Sequence, residues 1–458
     1  MKELSELLAT VDAAREEIVS FHQDIVRIPT VNTGQMPTGN ETPCCQYLQA
    51  RLNREDIDSE ILESAPTRGN LIARLKGEGT GPSLLFMSHL DVVPVGDESA
   101  WKYPPFSGEL VEGKIWGRGS SDCKGVTTAA YFATVLLKRA ELPLKGDLVF
   151  TGTADEESGG FYGYGWLAEN APEKIAAAYA LNEGGGVPLL SREGLLYDLS
   201  IGEKGRLEVT ISISGRSGHA ARPWSADNAL VKAGKVLAAI AAYKPEIDLS
   251  HPLFQWVGEM VEGVEPPTLE TVGEVIRRVS LTDQPTAWLL QALSQMTVTP
   301  TVLHAGAKSN SIPASALLKC DARTLPGQSA EYVEREIEKM VAGIPGVEVQ
   351  VEVWARSTQS PFGTPFTQML ERSLGLAIGR SDVRLAPGFT IGFTDSQYVR
   401  PLGVQAYGFG PIHPEGDAVG AGVHGVDEYI EVEALMARTR AYLAAAYFTV
   451  VEGLKGAE

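Results

Sequence analysis

Cysteine is scarce: the 458 residues contain four, Cys44, Cys45, Cys123 and Cys320. Two of them are adjacent, a spacing that rarely bridges to itself, and no Cys-x-x-Cys occurs, so neither a disulfide framework nor a zinc ribbon is indicated. Basic residues are also in deficit, 39 against 58 acidic, for a net charge of -19. So acidic a surface repels phosphate backbones and anionic membranes, and no basic cluster with interleaved aromatics offsets it, which argues against nucleic acid as a partner. Long apolar runs are missing too. The stretch "MKELSELLATVDAAREEIVSFHQDIV" carries acids every few residues and lacks a signal-peptide core, so a cytoplasmic location is expected. Near the other end, "ALMARTRAYLAAAYFTVV" is broken by Arg438 and Arg440 and reads as an amphipathic closing helix, not as a membrane span. The glycines match no dinucleotide fingerprint, and no phosphate loop is present.

What is abundant is apolar residue content, 44%. The chain exceeds what one core usually supports, so two domains are expected. "SLLFMSHLDVV" (83–93), "DLVFTGTADEE" (147–157) and "AAAYALNEGGG" (176–186) each read as a short buried strand running into His, Asp or Glu, with helical patterns such as "VTTAAYFATVLLKRA" (126–140) between them. Alternating strands and helices imply an α/β fold with a mainly parallel sheet covered on both faces, and such sheets bind ligands at the carboxyl ends of their strands. The acids lie at that edge.

Taken in order, His89 and Asp91 share one face of a strand, where a carboxylate can orient an imidazole and raise its basicity toward a metal. Asp122 stands among glycines in "GKIWGRGSSDCKG" just before a helix, and by itself reads as a helix N-cap; Cys123 reads as a small packed thiol. "TADEESGG" (153–160) supplies three acids in a row, whose mutual repulsion calls for a neutralising positive group. Glu183 follows in "LNEGGG", and His424 lies in the glycine-rich "GAGVHGVDEYI" before the closing helix. Two histidines with several carboxylates form a mixed nitrogen and oxygen set suited to zinc, cobalt or manganese and too nitrogen-rich for calcium.

The segments "SHLDVVP", "GRGSSDCKG", "TADEESGG", "NEGGG", "SGRSGHAARP", "KSNSIPA", "DARTLPG", "GFTDSQ" and "HGVDEYI" occur in the order and approximate spacing of the M20 metallopeptidases, and from about residue 20 to the C-terminus the chain resembles that family. The resemblance implies a di-metal exopeptidase-type catalytic domain in two parts, 1–203 and 356–458, and an inserted α+β lid or dimerisation domain, 204–355, with an extra helical segment at about 248–300. It implies two divalent ions, usually zinc, bridged by Asp122. His89 and Glu183 would hold one, Glu157 and His424 the other; Asp91 would orient His89, and Glu156 would be the general base. Asp155 is expected to be structural. His219 matches the family histidine that stabilises the oxyanion, often from the partner subunit of a homodimer. Asn310 and Arg323 match substrate-gripping positions, and Thr394 and Gly422 would line the pocket.

The expected substrate is a short peptide cut next to a free carboxylate, with an N-acyl amino acid as the alternative. Two further classes, a di-metal phosphoesterase and a metal-binding protein without catalysis, are weighed against these. The first lacks a cationic cluster for phosphate, and the second has no need of Glu156. Two positions depart from the common family pattern. Glu183 stands where relatives often have Asp, and Gln397 stands where many have Arg. His251, His304 and His413 have no motif support as ligands.

Overall fold

The computed structural model describes residues 2–189, 191, 193–416 and 421–454. The chain divides into two compact units. One comprises residues 1–202, 360–389 and 394–458, the other 203–359 and 390–393.

The first unit is built on a sheet whose central strands, in spatial order Leu148–Gly152, Leu84–Phe86, Tyr179–Asn182 and Gln405–Gly408, are mutually parallel. Antiparallel strands flank them: Gly69–Leu75 and Ser59–Glu63 on one side, Leu195–Glu203 on the other. Every residue of Leu84–Phe86 and Leu148–Gly152 is buried, as a strand covered on both faces requires. Burial of each such Leu or Phe side chain contributes about 1.5–3 kcal/mol, which makes continuous apolar runs the determinant of the sheet's centre. The helix Lys124–Arg139 is buried along nearly its whole length, and its Gly125 leaves room for the closing helix.

The closing helix, Val432–Ala446, corrects the amphipathic reading. Only Glu433 is exposed and Arg440 half-buried, whereas Arg438 is buried with the apolar residues. The helix packs against Lys124–Arg139, Pro365–Ile378 and Lys2–Ala13 together, so it has no broad solvent face to carry polar residues. Among the described residues, no helix is long and apolar enough to cross a membrane.

The second unit holds a four-stranded antiparallel sheet in the order Thr297–Ala305, Ser315–Thr324, Gly205–Ser214, Val347–Ala355. Burial alternates residue by residue along Gly205–Ser214 and Ser315–Thr324, so one face meets a core formed with the helices Ala229–Ala241 and Ala330–Val341. Asn228 and Ser329 cap these helices by accepting from Leu230 N and Tyr332 N. Residues 248–300 form the short helices Val257–Met260, Val272–Val279 and Gln284–Leu293. Lys204 anchors this segment, its Nζ donating to the carbonyls of Ala292 and Gln295.

Candidate metal centre

The centre assembles at the carboxyl ends of three parallel strands. His89 follows Leu84–Phe86 and continues the pairing by a parallel bridge to Thr153, just past Leu148–Gly152. The chain then turns at Asp155, whose φ of 75° is left-handed, into the single turn Glu156–Ser158. Glu183 is the first residue after Tyr179–Asn182. His424 comes from a distant loop, itself at φ 60°, closed by bonds from Gly425 N to Gly422 O and from Tyr429 N to Ala421 O.

One carboxylate lies between the two imidazoles. Asp122 Oδ1 is 3.1 Å from His89 Nε2 and Asp122 Oδ2 is 3.1 Å from His424 Nε2. A second acid approaches the same nitrogen of each ring: Glu183 Oε1 is 3.4 Å from His89 Nε2, and Glu157 Oε2 is 3.2 Å from His424 Nε2. The structure thus brings together all five residues expected as metal ligands. The N-cap reading of Asp122 is corrected: the cap of Lys124–Arg139 is Cys123, with no side-chain capping bond, and the Asp122 carboxylate points to the histidines. The Asp122–Cys123 peptide is cis. Cys123 is a buried thiol whose Sγ accepts from His89 N at 3.2 Å, although it also lies within ligand distance of His89 and Glu183.

Burial first, then repulsion from other acids, pushes the Glu157 carboxyl up to about 7 and holds Glu156 well above the usual carboxylate range. Glu183 is raised for the same first reason. His424 is held up to about 10 by its bonds to Asp122 and Glu157. Burial alone would lower His89, but Cys123, Glu183, Asp122 and Asp91 together raise it well above the usual imidazole range. Among the described residues, Glu157 Oε1 is buried and has no hydrogen-bond partner, so it is an acceptor left open. An orphaned acceptor and a carboxylate shared by two imidazoles suit a pair of divalent cations of the zinc class.

Asp91 supports the site in two ways. Its main-chain carbonyl lies 2.9 Å from His89 Nδ1 and its carboxylate Oδ1 3.4 Å, so the backbone oxygen is the nearer partner of the ring. The carboxylate accepts from the backbone N–H groups of Glu156 and Glu157 at 3.1 and 3.2 Å, which fixes the acidic turn beside the histidines. Asp155 turns away: Arg68 Nη2 and Asn32 Nδ2 donate to its Oδ1, and Tyr162 N donates to Oδ2. Arg68, fully buried, also binds Glu41 at 2.9 Å. It is therefore the positive partner of the first acid in the "DEE" run.

Three further residues had no signal in the sequence. Glu428 accepts from Gly119 N, Ser121 N and Asp122 N and pairs with Arg118 at 2.6 Å, so it holds the loop that carries Asp122. His22, buried in the helix Arg15–Val26, joins Thr128 and Ser120.

Of the pocket residues, Thr394 is buried and its Oγ1 accepts from Ser396 N at 3.3 Å. Gly422 adopts φ 69° in the turn before His424, where a Cβ would press on the carbonyls of Val426 and Asp427. In the second unit, the paired strands Gly218–His219 and Ser311–Ile312 bring His219 and Asn310 together, with Ala220 N donating to Asn310 O. The exposed His219 accepts from Ala221 N at Nδ1, which leaves the neutral ring's proton on Nε2. Arg323 has its fork on Asp321, with Nε–Oδ1 2.7 Å and Nη2–Oδ2 3.3 Å. A substrate carboxylate at Arg323 would have to compete with Asp321.

Imidazoles and carboxylates gathered at the strand ends of a parallel α/β sheet define a metallohydrolase. The chain belongs to peptidase family M20/M25/M40, whose profile matches residues 85–447. It is an enzyme of the metallopeptidase and amidohydrolase type. Among similar sequences, a probable succinyl-diaminopimelate desuccinylase of Staphylococcus epidermidis is 27% identical over 344 residues, 72% of this chain and 73% of the relative. Among solved structures, an M20 family metallo-carboxypeptidase from Sulfolobus solfataricus superposes with TM-score 0.67 at 18% identity, over 94% of this chain and 99% of the other. A dinuclear metal-binding M20 peptidase from Bacillus subtilis gives TM-score 0.61 at 16% identity, over 95% and 98%. At these identities the two structures speak for the fold, an α/β catalytic domain with an inserted α+β domain.

Proposed function

We propose that this enzyme is an exopeptidase or dipeptidase cleaving the amide bond next to a free carboxylate in short peptides, with two zinc ions at the centre. His89 and Glu183 would hold one ion, His424 and Glu157 the other, and Asp122 both. The observation that carries the reading is the Asp122 carboxylate shared between two imidazoles that each face a further acid. Bound there, the ions would polarise the scissile carbonyl and lower the pKa of an attacking water.

Glu156 is the residue with a free hand. It is almost fully buried beside Glu157, and its backbone is fixed by Asp91. Its carboxylate takes a proton from the water as the oxygen adds to the carbonyl carbon, and returns it to the nitrogen as the C–N bond breaks. With its proton on Nε2, His219 is suited to donate to the developing oxyanion. Asn310, Arg323, Thr394 and Gly422 are assigned to the substrate's polar ends. The second unit would serve as lid and dimerisation domain of a cytoplasmic homodimer.

A second reading, deacylation of N-acyl amino acids, is favoured by the likeness to the desuccinylase relative. Dipeptides and N-acyl amino acids, assayed after chelation and reloading with zinc, cobalt or manganese, test both. Higher kcat/KM on dipeptides supports the first reading, and higher kcat/KM on acyl amino acids supports the second. Failure to cleave any amide in the panel overturns both.

A further inference from the structure

Beside the centre lies a cavity of about 280 Å³, and Asp122 and Glu183 belong both to its lining and to the proposed metal set. The rest of the lining is mainly apolar. Val126, Tyr429 and Ile430 form its floor, each exposed by 5% or less. At its rim the apolar surface is uncovered: Val187 is 38% exposed and Val423 47%. Single exposed apolar residues need no explanation, but two that border one apolar cavity make a surface of the kind a ligand covers.

The backbone ties these walls to the centre. Val187 follows Glu183 by way of Gly184–Gly186, where φ is positive at 82°, 60° and 77°. A Cβ on Gly185 would stand 2.4 Å from Gly408 O, and one on Gly186 2.4 Å from Pro411 N, so the close turn that carries Val187 to the cavity requires glycine. Ile412, whose N donates to Gly186 O, lines the cavity next to this turn. Val423 directly precedes His424.

The charged groups disfavour an anion. Asp122, Glu183 and the half-buried Glu431 are the acids of the lining. Arg438 does not offset them: its Nε and Nη1 are buried away from the cavity, and its Nη2 donates to Gly410 O at 3.1 Å. A carboxylate entering here would lose water beside like charge. The volume lies just below the ~300–1,000 Å³ of sites that hold a whole small ligand, so it suits one side chain. Consecutive Cα atoms are ~3.8 Å apart, which keeps a residue adjoining an amide at the centre within a side chain's length of Asp122 and Glu183.

We propose that this cavity selects the substrate: it receives the uncharged aliphatic side chain of a residue adjoining the scissile amide and rejects an acidic one. The inference rests on the amidohydrolase reading and names the side-chain class which that reading leaves open.

The test uses the zinc-loaded full chain and dipeptides that carry leucine or aspartate at each of the two positions. The wild type is expected to favour leucine over aspartate at least about tenfold in kcat/KM at one position. Val187→Lys, which puts a cation at the rim, is expected to lower that ratio about tenfold, and Ile412→Ala to weaken the leucine substrate about tenfold with little effect on the aspartate one. Equal rates or a preference for aspartate at both positions overturns the proposal, as does a ratio unmoved in both variants. A crystal structure with leucine hydroxamate, a chelating probe, reads the cavity without turnover. The isobutyl group among Val187, Ile412 and Val423 supports the proposal; an isobutyl group elsewhere, or no binding, overturns it. A wild type that cleaves no amide yet seats the isobutyl group in the cavity defeats the proposed function and leaves the side-chain assignment standing.

Discussion

Arg118 and Glu428 stand 310 positions apart and meet with Nη1 and Oε2 at 2.6 Å, both buried. Through this pair the segment just after His424 grips the loop of Asp122, since Glu428 also receives three backbone N–H groups from residues 119–122 and Arg118 Nη2 donates to Gly425 O. Two proposed ligands from opposite ends of the chain are registered against each other by one ion pair. Replacing Glu428 by Gln keeps the shape and removes the charge. Metal affinity is expected to fall about 10- to 100-fold, read by competition with a chelator, because partners behind the ligands set their geometry. Unchanged affinity would show that the loops need no clamp.

Glu156→Gln separates proton transfer from metal binding. The variant is expected to keep its metal content and melting temperature while kcat drops by about two to four powers of ten. Loss of metal in parallel with activity would make Glu156 a ligand instead.

Arg68→Met leaves Asp155 and Glu41 without their cation in a dry interior. Breaking a buried pair in this way costs about 3–5 kcal/mol, so the melting temperature should drop sharply. Adding Glu41→Gln to the same chain should recover part of the loss, since one uncompensated charge is then removed. Thermal unfolding of the two variants checks both statements.

His22 makes stability depend on acid. Burial, together with the charges of Lys124 and Arg438, lowers its pKa from 6.5 to about 3. Between these values the unfolded chain binds a proton that the folded chain refuses, so stability declines as pH falls through that window. The slope is about 1.4 kcal/mol per pH unit for one such group. Urea titrations across the window should show a slope smaller by about one proton in His22→Gln than in the wild type. Parallel slopes would place the acid sensitivity elsewhere.

His219→Ala should retain metal and lower kcat about 100- to 1,000-fold if its Nε2 proton meets the oxyanion. A change in KM alone, measured on the same substrate, would assign it to binding.

Much of the centre was legible because its residues sit where local patterns change. His89, Glu156, Glu157 and Glu183 each follow a short apolar run, and His424 lies among glycines, so periodicity and punctuation marked them before any contact was known. The strands themselves were legible from the same runs. Asp122 was ambiguous because capping and ligation favour the same residue in the same place, and only its direction separates them. Arg68, Arg118, Glu428 and His22 carried no mark: their partners Asp155, Glu428, Arg118 and Ser120 lie 87, 310, 310 and 98 positions away.

Arg438 shows the same limit from the other side. Two arginines in an alanine-rich helix suggest a polar stripe, yet three neighbouring helices enclose Arg438 and leave Arg440 half-buried. By itself the order of residues determined the strands, the helices, the family and the kinds of donor available for a metal, because these follow from short-range periodicity and residue chemistry. Tertiary structure alone decided which positive group answers which acid. Coulomb attraction depends on separation in space and on exclusion of water, and neither quantity is written along the chain.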